Sequence, residues 1–240
     1  MSAIDAPFVK TATSLSVPPL EAGDRLGRKE FERRYEAMPH LKKAELIEGV
    51  VYLMASPLNS DLHGSPHYDL ITWLGHYRAY TPGVKGSDNA TVRLDGTNEP
   101  QPHALLYIQP QSGGQVRINQ GYIEQAPELI AEISSTTVSL DLHDKFRAYE
   151  RNGVREYIVW RVRDREIDWF VNRDGKFEPM ALDENGVHRS EIFPGLWLDP
   201  EALLSENMLR LLEILRQGLA SPEHAQFTER LRQAASARQP

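Results

Sequence analysis

The chain has 240 residues, with 27 Lys and Arg against 34 Asp and Glu, which gives a formal net charge of −7 at pH 7. The hydrophobic fraction of 40% and the charged fraction of 25% are those of a globular protein with a sizeable core, so global disorder is excluded. Because the sequence has no cysteine, disulfides, thiolate metal sites and cysteine nucleophiles are excluded, and metal ligands must be oxygen or imidazole nitrogen.

The N-terminal segment, residues 1–26, is rich in Pro, Ser, Thr and Ala and has no periodicity, which predicts an irregular lead-in. It has no basic region followed by a long apolar stretch, and no window of the chain reaches the apolar length of a membrane span. We therefore expect a cytoplasmic protein that does not enter the membrane. The acidic balance argues against a general nucleic-acid coat, but it leaves room for a nuclease, whose site is itself acidic.

The first third of the chain predicts a helix, a hairpin and a second helix. Polar residues from Arg28 to Met38 indicate a short helix, and the following AELIEGVVYLMASP segment indicates two strands that turn at Glu48-Gly49. From His63 to Tyr80 apolar residues recur at helical spacing, and Thr81-Pro82-Gly83 supplies the stop signal.

The middle of the chain predicts the centre of a sheet. The apolar runs His103–Ile108 and Leu129–Ser134 indicate central strands, separated by a polar stretch rich in glycine. A helix that opens near Asp141 should end at Gly153, and the strand Glu156–Trp160 then completes a strand-helix-strand unit.

The C-terminal third predicts a strand pair within Glu166–Pro179, turning at Asp174-Gly175, and two helices around 207–217 and 221–235. Leucine stripes on these helices are typical of core or dimer packing, so a homodimer is a further expectation. We predict an α/β or α+β fold, with a sheet domain over 27–204 and a C-terminal helical extension over 205–240.

The chemistry-bearing residues lie on the second central strand and the helix after it. Because strand side chains alternate between faces, Glu132 and Ser134 point the same way, and a carboxylate among apolar neighbours is costly unless it is paired or binds a cation. On the helix, Lys145 lies at the edge of the apolar stripe of Leu142, Phe146 and Tyr149 and so leans inward. A carboxylate that holds a divalent ion and an ammonium that orients a water, or helps to deprotonate it, would suit a phosphodiester hydrolase.

Structural alternatives exist for these residues. Glu132 and Lys145 could instead form a structural ion pair. Alternatively, the aliphatic stem of Lys145 could extend past the apolar stripe and carry its ammonium to solvent. Asp141 is expected to be a helix N-cap, and Glu45 is most often an exposed strand residue.

Two further groups of basic residues carry less weight. His63 and His67 have the spacing of a zinc pair, but Gly64-Ser65-Pro66 argues against a regular helix between them, so we do not expect these two residues to bind a metal. The run from Arg161 to Glu166, in which arginines alternate with other residues, is typical of a solvated strand face that would also suit contact with a DNA backbone.

At these residues the sequence resembles the PD-(D/E)XK nuclease superfamily and, more closely, the bacterial Uma2 family of restriction-type endonucleases. The resemblance spans roughly 28–204, and its order of motifs is specific although each motif alone is weak. The matching motifs are Glu45–Gly49 with the following Val-Tyr, the helix opened near His63-Gly64, Gln101-Pro102, Pro127–Ser134, Asp141 with Lys145 and Tyr149, Gly153–Tyr157, and Phe193–Leu198.

The resemblance implies a restriction-endonuclease-like central mixed sheet flanked by helices, and a DNA phosphodiesterase that uses Mg²⁺ or Mn²⁺. It implies that Glu132 is the strand carboxylate, that Ser134 occupies the place of the superfamily's lysine, and that Lys145 supplies the lysine from the helix. Glu45 resembles the family's additional acidic residue. The predicted catalytic residues are therefore Glu132, Lys145 and Glu45.

One position departs from the family pattern, because the family's Pro-Asp reads Pro102-His103 here. The predicted metal ligands are therefore His103 and Glu132, and the affinity for Mg²⁺ should fall because Mg²⁺ prefers oxygen ligands. Two hypotheses follow from this replacement. One is a metal-dependent DNA endonuclease with an altered site, and the other is an inactive nuclease-fold protein that binds DNA or protein.

Overall fold

The computed structural model describes residues 17–53 and 59–238, so that 1–16 of the predicted lead-in lie outside the described residues. The α-helices of this part are α1 (Arg28–Glu36), α2 (Ser65–Tyr80), α3 (Lys145–Asn152), α4 (Pro200–Leu204), α5 (Met208–Leu219) and α6 (Pro222–Ala237). Its strands are β1 (Ala44–Ile47), β2 (Val50–Leu53), β3 (Val84–Ser87), β4 (Val92–Arg93), β5 (Ala104–Ile108), β6 (Arg117–Asn119), β7 (Tyr122–Glu124), β8 (Leu129–Ser134), β9 (Glu156–Arg161), β10 (Glu166–Arg173), β11 (Lys176–Pro179), β12 (His188–Arg189) and β13 (Trp197–Leu198). The π-helical turn Ser60–Gly64 directly precedes α2, and a second π-helical turn, Leu140–Asp144, directly precedes α3.

A mixed six-stranded sheet forms the centre of the fold, with the order β11-β10-β9-β8-β5-β3. The strands β8 and β9 are parallel and are joined through α3, whereas the other neighbours are antiparallel. The predicted strand-helix-strand unit is therefore confirmed. Its helix ends where Gly153 adopts a φ of 84°, the left-handed conformation that glycine accepts without strain.

The two faces of the sheet carry different layers. Leu106, Ala131 and Ile133 pack in one core cluster with residues of α2, α5 and α6, whereas Leu105 and Ile130 pack in a second cluster with Tyr149 and Val154. This alternation follows from the two-residue period of a strand. Glu132 and His103 lie on the second face, at the end of the sheet where β5 begins.

The predicted hairpin is formed by β1 and β2, and its turn residues Glu48 and Gly49 have φ values of 52° and 73°. Such angles favour glycine and match the twist of a two-residue hairpin. Hydrogen bonds between Leu46 and Glu99 attach the hairpin to the segment that leads into β5. The hairpin thereby brings β1 to the edge of the second face.

Some elements were not predicted. The three-stranded sheet β4-β7-β6 falls where the sequence shows only short polar or turn-rich segments, and its strands are two to three residues long. The arginine run is not a strand face, because residues 162–165 form the turn between β9 and β10. Side chains of α5 and α6 belong to the first core cluster, and no helix in the described ranges has the length and apolarity to cross a membrane.

Candidate active site

The side chain of Glu132 lies at the centre of a buried polar cluster and has no exposed surface. Its Oε1 accepts hydrogen bonds from Lys145 Nζ and from the Tyr149 hydroxyl, both at 2.9 Å. Its Oε2 lies 2.5 Å from Nδ1 of His103. Every oxygen of this carboxylate therefore has a partner inside the protein, as burial of a charge requires.

Lys145 follows the second π-helical turn, and its ammonium is surrounded by carboxylates. The distances from Nζ are 2.9 Å to Glu132, 3.1 Å to Glu45 and 3.5 Å to Asp141. The side chain is only 2% exposed, so its stem does not reach solvent. The sequence-based prediction that Lys145 leans inward is confirmed, and the alternative of a solvent-directed stem is wrong.

Asp141 is not the N-cap that the sequence indicated. It lies within the π-helical turn and is buried, and its Oδ2 accepts hydrogen bonds from the hydroxyls of Ser134 and Thr137. Ser134 thus contacts a carboxylate of the same cluster. Asp141 is the third buried carboxylate around Lys145, a role that the sequence analysis missed.

Glu45 is buried on β1, and the expectation of an exposed strand residue is wrong. Its Oε1 accepts a hydrogen bond of 2.6 Å from the backbone amide of Gln101 and lies 3.3 Å from Lys145 Nζ. Gln101 lies two residues before His103. Glu45 therefore ties the hairpin to the strand that carries His103 and to the helix that carries Lys145.

His103 faces Glu132 across the strand pair, one step beyond the Ala104–Ala131 pairing of β5 and β8. The 2.5 Å contact of Nδ1 with Oε2 needs a proton between the two atoms, because each carries a lone pair when deprotonated. This leaves Nε2 as the ring nitrogen with a free lone pair in the neutral imidazole. The contact orients His103 in the way that a carboxylate orients a metal-binding histidine.

Two further histidines lie against His103. The ring centroid of His63 is 4.8 Å from that of His103, and the centroid of His67 is 5.9 Å from both. The expected break at Gly64-Ser65-Pro66 does not occur, because the π-helical turn runs directly into α2 and Pro66 falls in the first turn, where proline is tolerated. The sequence signal was the four-residue spacing of His63 and His67.

The charges of the cluster shift the pKa values of its members. Burial would raise the pKa of Glu132, but the positive charge of Lys145 and the contact with His103 hold it well below its ordinary value. Burial likewise opposes the charge of Lys145, yet the three carboxylates raise its pKa above the ordinary value. Burial raises the pKa of Asp141. Lys145 is therefore a permanent cation near neutral pH, which suits an orienting role and disfavours a role as a base.

One further cation, Lys43, lies beside the segment that leads to His103. Lys43 Nζ donates a hydrogen bond of 2.8 Å to the carbonyl of Gln101 and lies next to the His103 side of the cluster. Burial, together with the neighbouring rings of His103 and His67, lowers the pKa of His63 to about 4. His63 is therefore neutral at pH 7, with a lone pair available.

A hard divalent ion such as Mg²⁺ does not fit the residues at this position. When two donor atoms each bind one ion at about 2.1 Å and the two bonds are at right angles, the donor atoms lie about 3 Å apart. In contrast, Nδ1 of His103 and Oε2 of Glu132 are 2.5 Å apart and share a proton. The nitrogen left on His103, together with the neighbouring rings, suits a borderline transition ion. Within the described residues no three donor side chains converge on one point as they stand.

The comparison with family models agrees with the resemblance. The model of the Uma2 family, described as "Putative restriction endonuclease", matches residues 28–201. No curated protein matches the chain. A crystal structure described as a putative nuclease belonging to DUF820, from Anabaena variabilis ATCC 29413, is 14% identical and has a TM-score of 0.49, with 72% of this chain and 97% of that chain covered.

Proposed function

Since the chain belongs to the Uma2 family, whose members are described as restriction endonucleases, we propose that it hydrolyses phosphodiester bonds in DNA with a divalent ion other than Mg²⁺. The observation that carries the proposal is the buried Glu132 with Lys145 at 2.9 Å, on the strand and helix where the family pattern places its carboxylate and its lysine. A perturbed buried cluster of this kind is a typical feature of a catalytic site. We expect the protein to act in the cytoplasm, and a homodimer stays a prediction.

In this proposal, His103 and Glu132 form the unit that holds the ion. His103 offers Nε2, and Glu132 fixes the ring through Nδ1, so a direct Glu132 ligand would first need to break that contact. A bound divalent ion supplies Lewis-acid polarisation of the phosphodiester and lowers the pKa of a water.

The remaining side chains of the cluster position this unit. Lys145 neutralises Glu132 and keeps its carboxylate fixed, and Tyr149 donates to the same oxygen. Glu45 holds both the ammonium of Lys145 and the backbone before His103. Lys43, which donates to the Gln101 carbonyl, would attract the phosphate backbone of DNA.

The test is cleavage of plasmid and single-stranded DNA with Mg²⁺, Mn²⁺, Zn²⁺, Co²⁺ or EDTA. We expect the parent chain to cleave with a transition ion and Glu132→Gln to lose at least about a hundredfold in rate, since it removes the charge that orients His103. The matched control is Glu156→Gln, which changes another fully buried glutamate, on the neighbouring strand and outside the cluster. Cleavage by Glu132→Gln at the parent rate would refute the proposal.

A second function is favoured by one observation, namely that all the oxygens of Glu132 are already satisfied by Lys145, Tyr149 and His103. Such a self-satisfied cluster also suits a protein that binds DNA without cutting it. His103→Asp separates the two functions, because it restores the oxygen ligand of the family pattern. Cleavage with Mg²⁺ by His103→Asp only, with DNA binding but no cleavage by the parent, would support the second function.

A further inference from the structure

An open cavity of about 630 Å³ lies beside β3, the last strand of the central sheet, and is separate from the Glu132 cluster. Its walls include two exposed cations, Arg78 near the end of α2 and Lys85 on β3. Within the described residues neither cation has a carboxylate within 4.0 Å, and the residues that line the cavity include no Asp or Glu. A cleft lined by charges of one sign attracts a ligand of the opposite sign.

The backbone of β3 adds a hydrogen-bond donor at this cavity. The Gln109 amide donates a hydrogen bond of 2.8 Å to the Gly83 carbonyl. The register continues with Lys85 opposite Tyr107. Since hydrogen-bonded pairs alternate with other pairs along an antiparallel ladder, the amide N–H of Gly86 points away from β5. It therefore faces the free edge of the sheet.

Gly86 also leaves room for Arg78 beside the strand. A Cβ at position 86 would lie 3.0 Å from Cδ2 of Leu106 and 4.0 Å from Cδ of Arg78, so the arginine stem lies next to the bare backbone. Ser87 lines the same cavity and adds a hydroxyl group. A guanidinium, an ammonium, a backbone N–H and a hydroxyl are the groups that donate to the phosphate oxygens of nucleic acids.

Lys85 lies on the face of the sheet that carries the Glu132 cluster. Residues directly opposite each other project from the same face, so Lys85 shares the face of Tyr107. Tyr107 follows His103 by four residues, and the two-residue period of a strand puts both on one face. At about 3.4 Å per residue the two positions are about 13 Å apart. Each strand of B-DNA advances about 3.4 Å per nucleotide, so this separation spans about four nucleotides.

The other end of β3 leads directly to the cluster. Asp88, the residue after β3, lies 4.0 Å from Nε2 of His67. The next residue, Asn89, has its Oδ1 3.5 Å from Nζ of Lys43. A DNA strand that follows β3 would therefore meet cations at both ends, the two in the cavity and Lys43 beside the cluster. These three cations exceed the single negative charge of Asp88.

We propose that the β3 edge, formed by Arg78, Lys85, Gly86 and Ser87, binds the phosphate backbone of the DNA strand that enters the candidate active site. This inference rests on the proposed function, because it specifies how the substrate of that site is held. Phosphate contacts position a nucleic acid without reading its sequence. The β3 edge thus holds the strand, and the Glu132 cluster carries out the chemistry.

The test is a binding measurement in EDTA, which prevents metal-dependent cleavage. Fluorescence anisotropy follows a short labelled DNA duplex, and its single strand, at several NaCl concentrations. We expect the double variant Arg78→Gln/Lys85→Gln to bind at least about tenfold more weakly at low salt. The plot of log K against log salt should lose about 2 units of slope for the duplex, because each phosphate contact contributes about 0.9.

The matched control is the double variant Lys29→Gln/Arg216→Gln, which removes the same charge. Lys29 on α1 and Arg216 on α5 are exposed, lie outside the cavity and have no carboxylate within 4.0 Å among the described residues. Circular dichroism checks that each variant is folded. Equal losses in the two double variants would indicate a general charge effect and overturn the proposal, as would parent-like binding by Arg78→Gln/Lys85→Gln.

A free strand edge also suits pairing with a second copy of this chain. Amide hydrogen exchange of the parent distinguishes the two occupants. We expect the Gly86 amide to exchange rapidly without DNA and to become protected when DNA is added in EDTA. Protection that appears without DNA, as the protein concentration rises and a dimer forms, would assign the edge to a second copy and overturn the proposal.

The failure of this inference is distinguishable from the failure of the proposed function, because binding is measured without cleavage. Cleavage that depends on Glu132, with a KM that Arg78→Gln/Lys85→Gln leaves unchanged, would overturn the role of the β3 edge and leave the nuclease function standing. DNA binding that only this double variant loses, with no cleavage in the presence of any ion, would support the β3 edge and overturn the nuclease function.

Discussion

Replacement of Lys145 by methionine tests whether the ammonium holds the buried carboxylates together. Methionine keeps the length and apolar stem of the side chain but removes the ammonium that lies within 3.5 Å of all three carboxylates, those of Glu45, Glu132 and Asp141. Breaking a buried ion pair by removing one partner costs about 3–5 kcal/mol, because the remaining charge is left uncompensated. We therefore expect the free energy of unfolding at pH 8 to fall by about 3–5 kcal/mol.

The pH dependence of this loss has a definite sign. In the parent, the lowered pKa of Glu132 contributes stability that is present above the unfolded value of 4.5 and is lost as the pH falls. In Lys145→Met the carboxylates have no ammonium beside them, so their folded pKa values rise above the unfolded ones and stability is lost as the pH increases. The difference between the two proteins should therefore be large at pH 8 and shrink towards pH 4.

Urea denaturation followed by circular dichroism at pH 8 and pH 5 measures the effect. The matched control is Lys176→Met, since Lys176 pairs with Glu150 at 3.1 Å but is 78% exposed, and an exposed pair contributes less than about 1 kcal/mol. A Lys145→Met variant within about 1 kcal/mol of the parent at pH 8, or a loss of equal size at both pH values, would refute the reasoning.

Two further predictions concern stability outside the cluster. Burial raises the pKa of Glu156 to about 7, so the stability of the protein should decline as the pH rises from 5 to 8. In thermal unfolding scans Glu156→Gln should flatten this decline. An unchanged slope would contradict the assignment of the decline to Glu156. In urea denaturation Gly218→Ala should lower the free energy of unfolding by about 2 kcal/mol or more, because the added Cβ would lie 2.3 Å from the carbonyl oxygen of Gly195. The Cβ added by Gly75→Ala on α2 meets nothing within 4 Å, so this variant should stabilise the protein by about 0.5–1 kcal/mol. Equal effects of the two alanines would count against the close approach at Gly218.

The sequence predicted the elements that local signals control. The hairpin at Glu48-Gly49 and the helix that ends at Gly153 carry turn residues with positive φ, so their positions are fixed by a few neighbouring residues. The sheet β4-β7-β6 has strands too short for any periodicity, and its pairing depends on contacts made through the rest of the fold. Such contacts leave no local pattern to read.

The candidate site could be predicted only in part, because some of its residues follow local patterns and others depend on long-range contacts. Glu132 and Lys145 could be predicted because the strand period points the side chain of Glu132 inward and the helix period points the side chain of Lys145 inward as well. The burial of Glu45 depends on how the hairpin meets the segment before β5, which is a long-range contact. Asp141 was misread because an N-cap and a buried carboxylate have the same residue type, and only the hydroxyl donors Ser134 and Thr137 distinguish them.

In the proposed function, the residue at position 103 affects which cation would suit the cluster. An aspartate there, as in the family pattern, would set four carboxylates against the single ammonium of Lys145, and a divalent ion would be needed to balance the excess charge. With His103, one carboxylate fewer faces Lys145, so the cluster is closer to neutral without an external ion. The same replacement moves the free lone pair from an oxygen to a nitrogen that lies among the rings of His63 and His67. In the proposed function, histidine at position 103 would therefore lower the electrostatic demand for a hard ion and offer a nitrogen donor of the kind that a transition ion prefers.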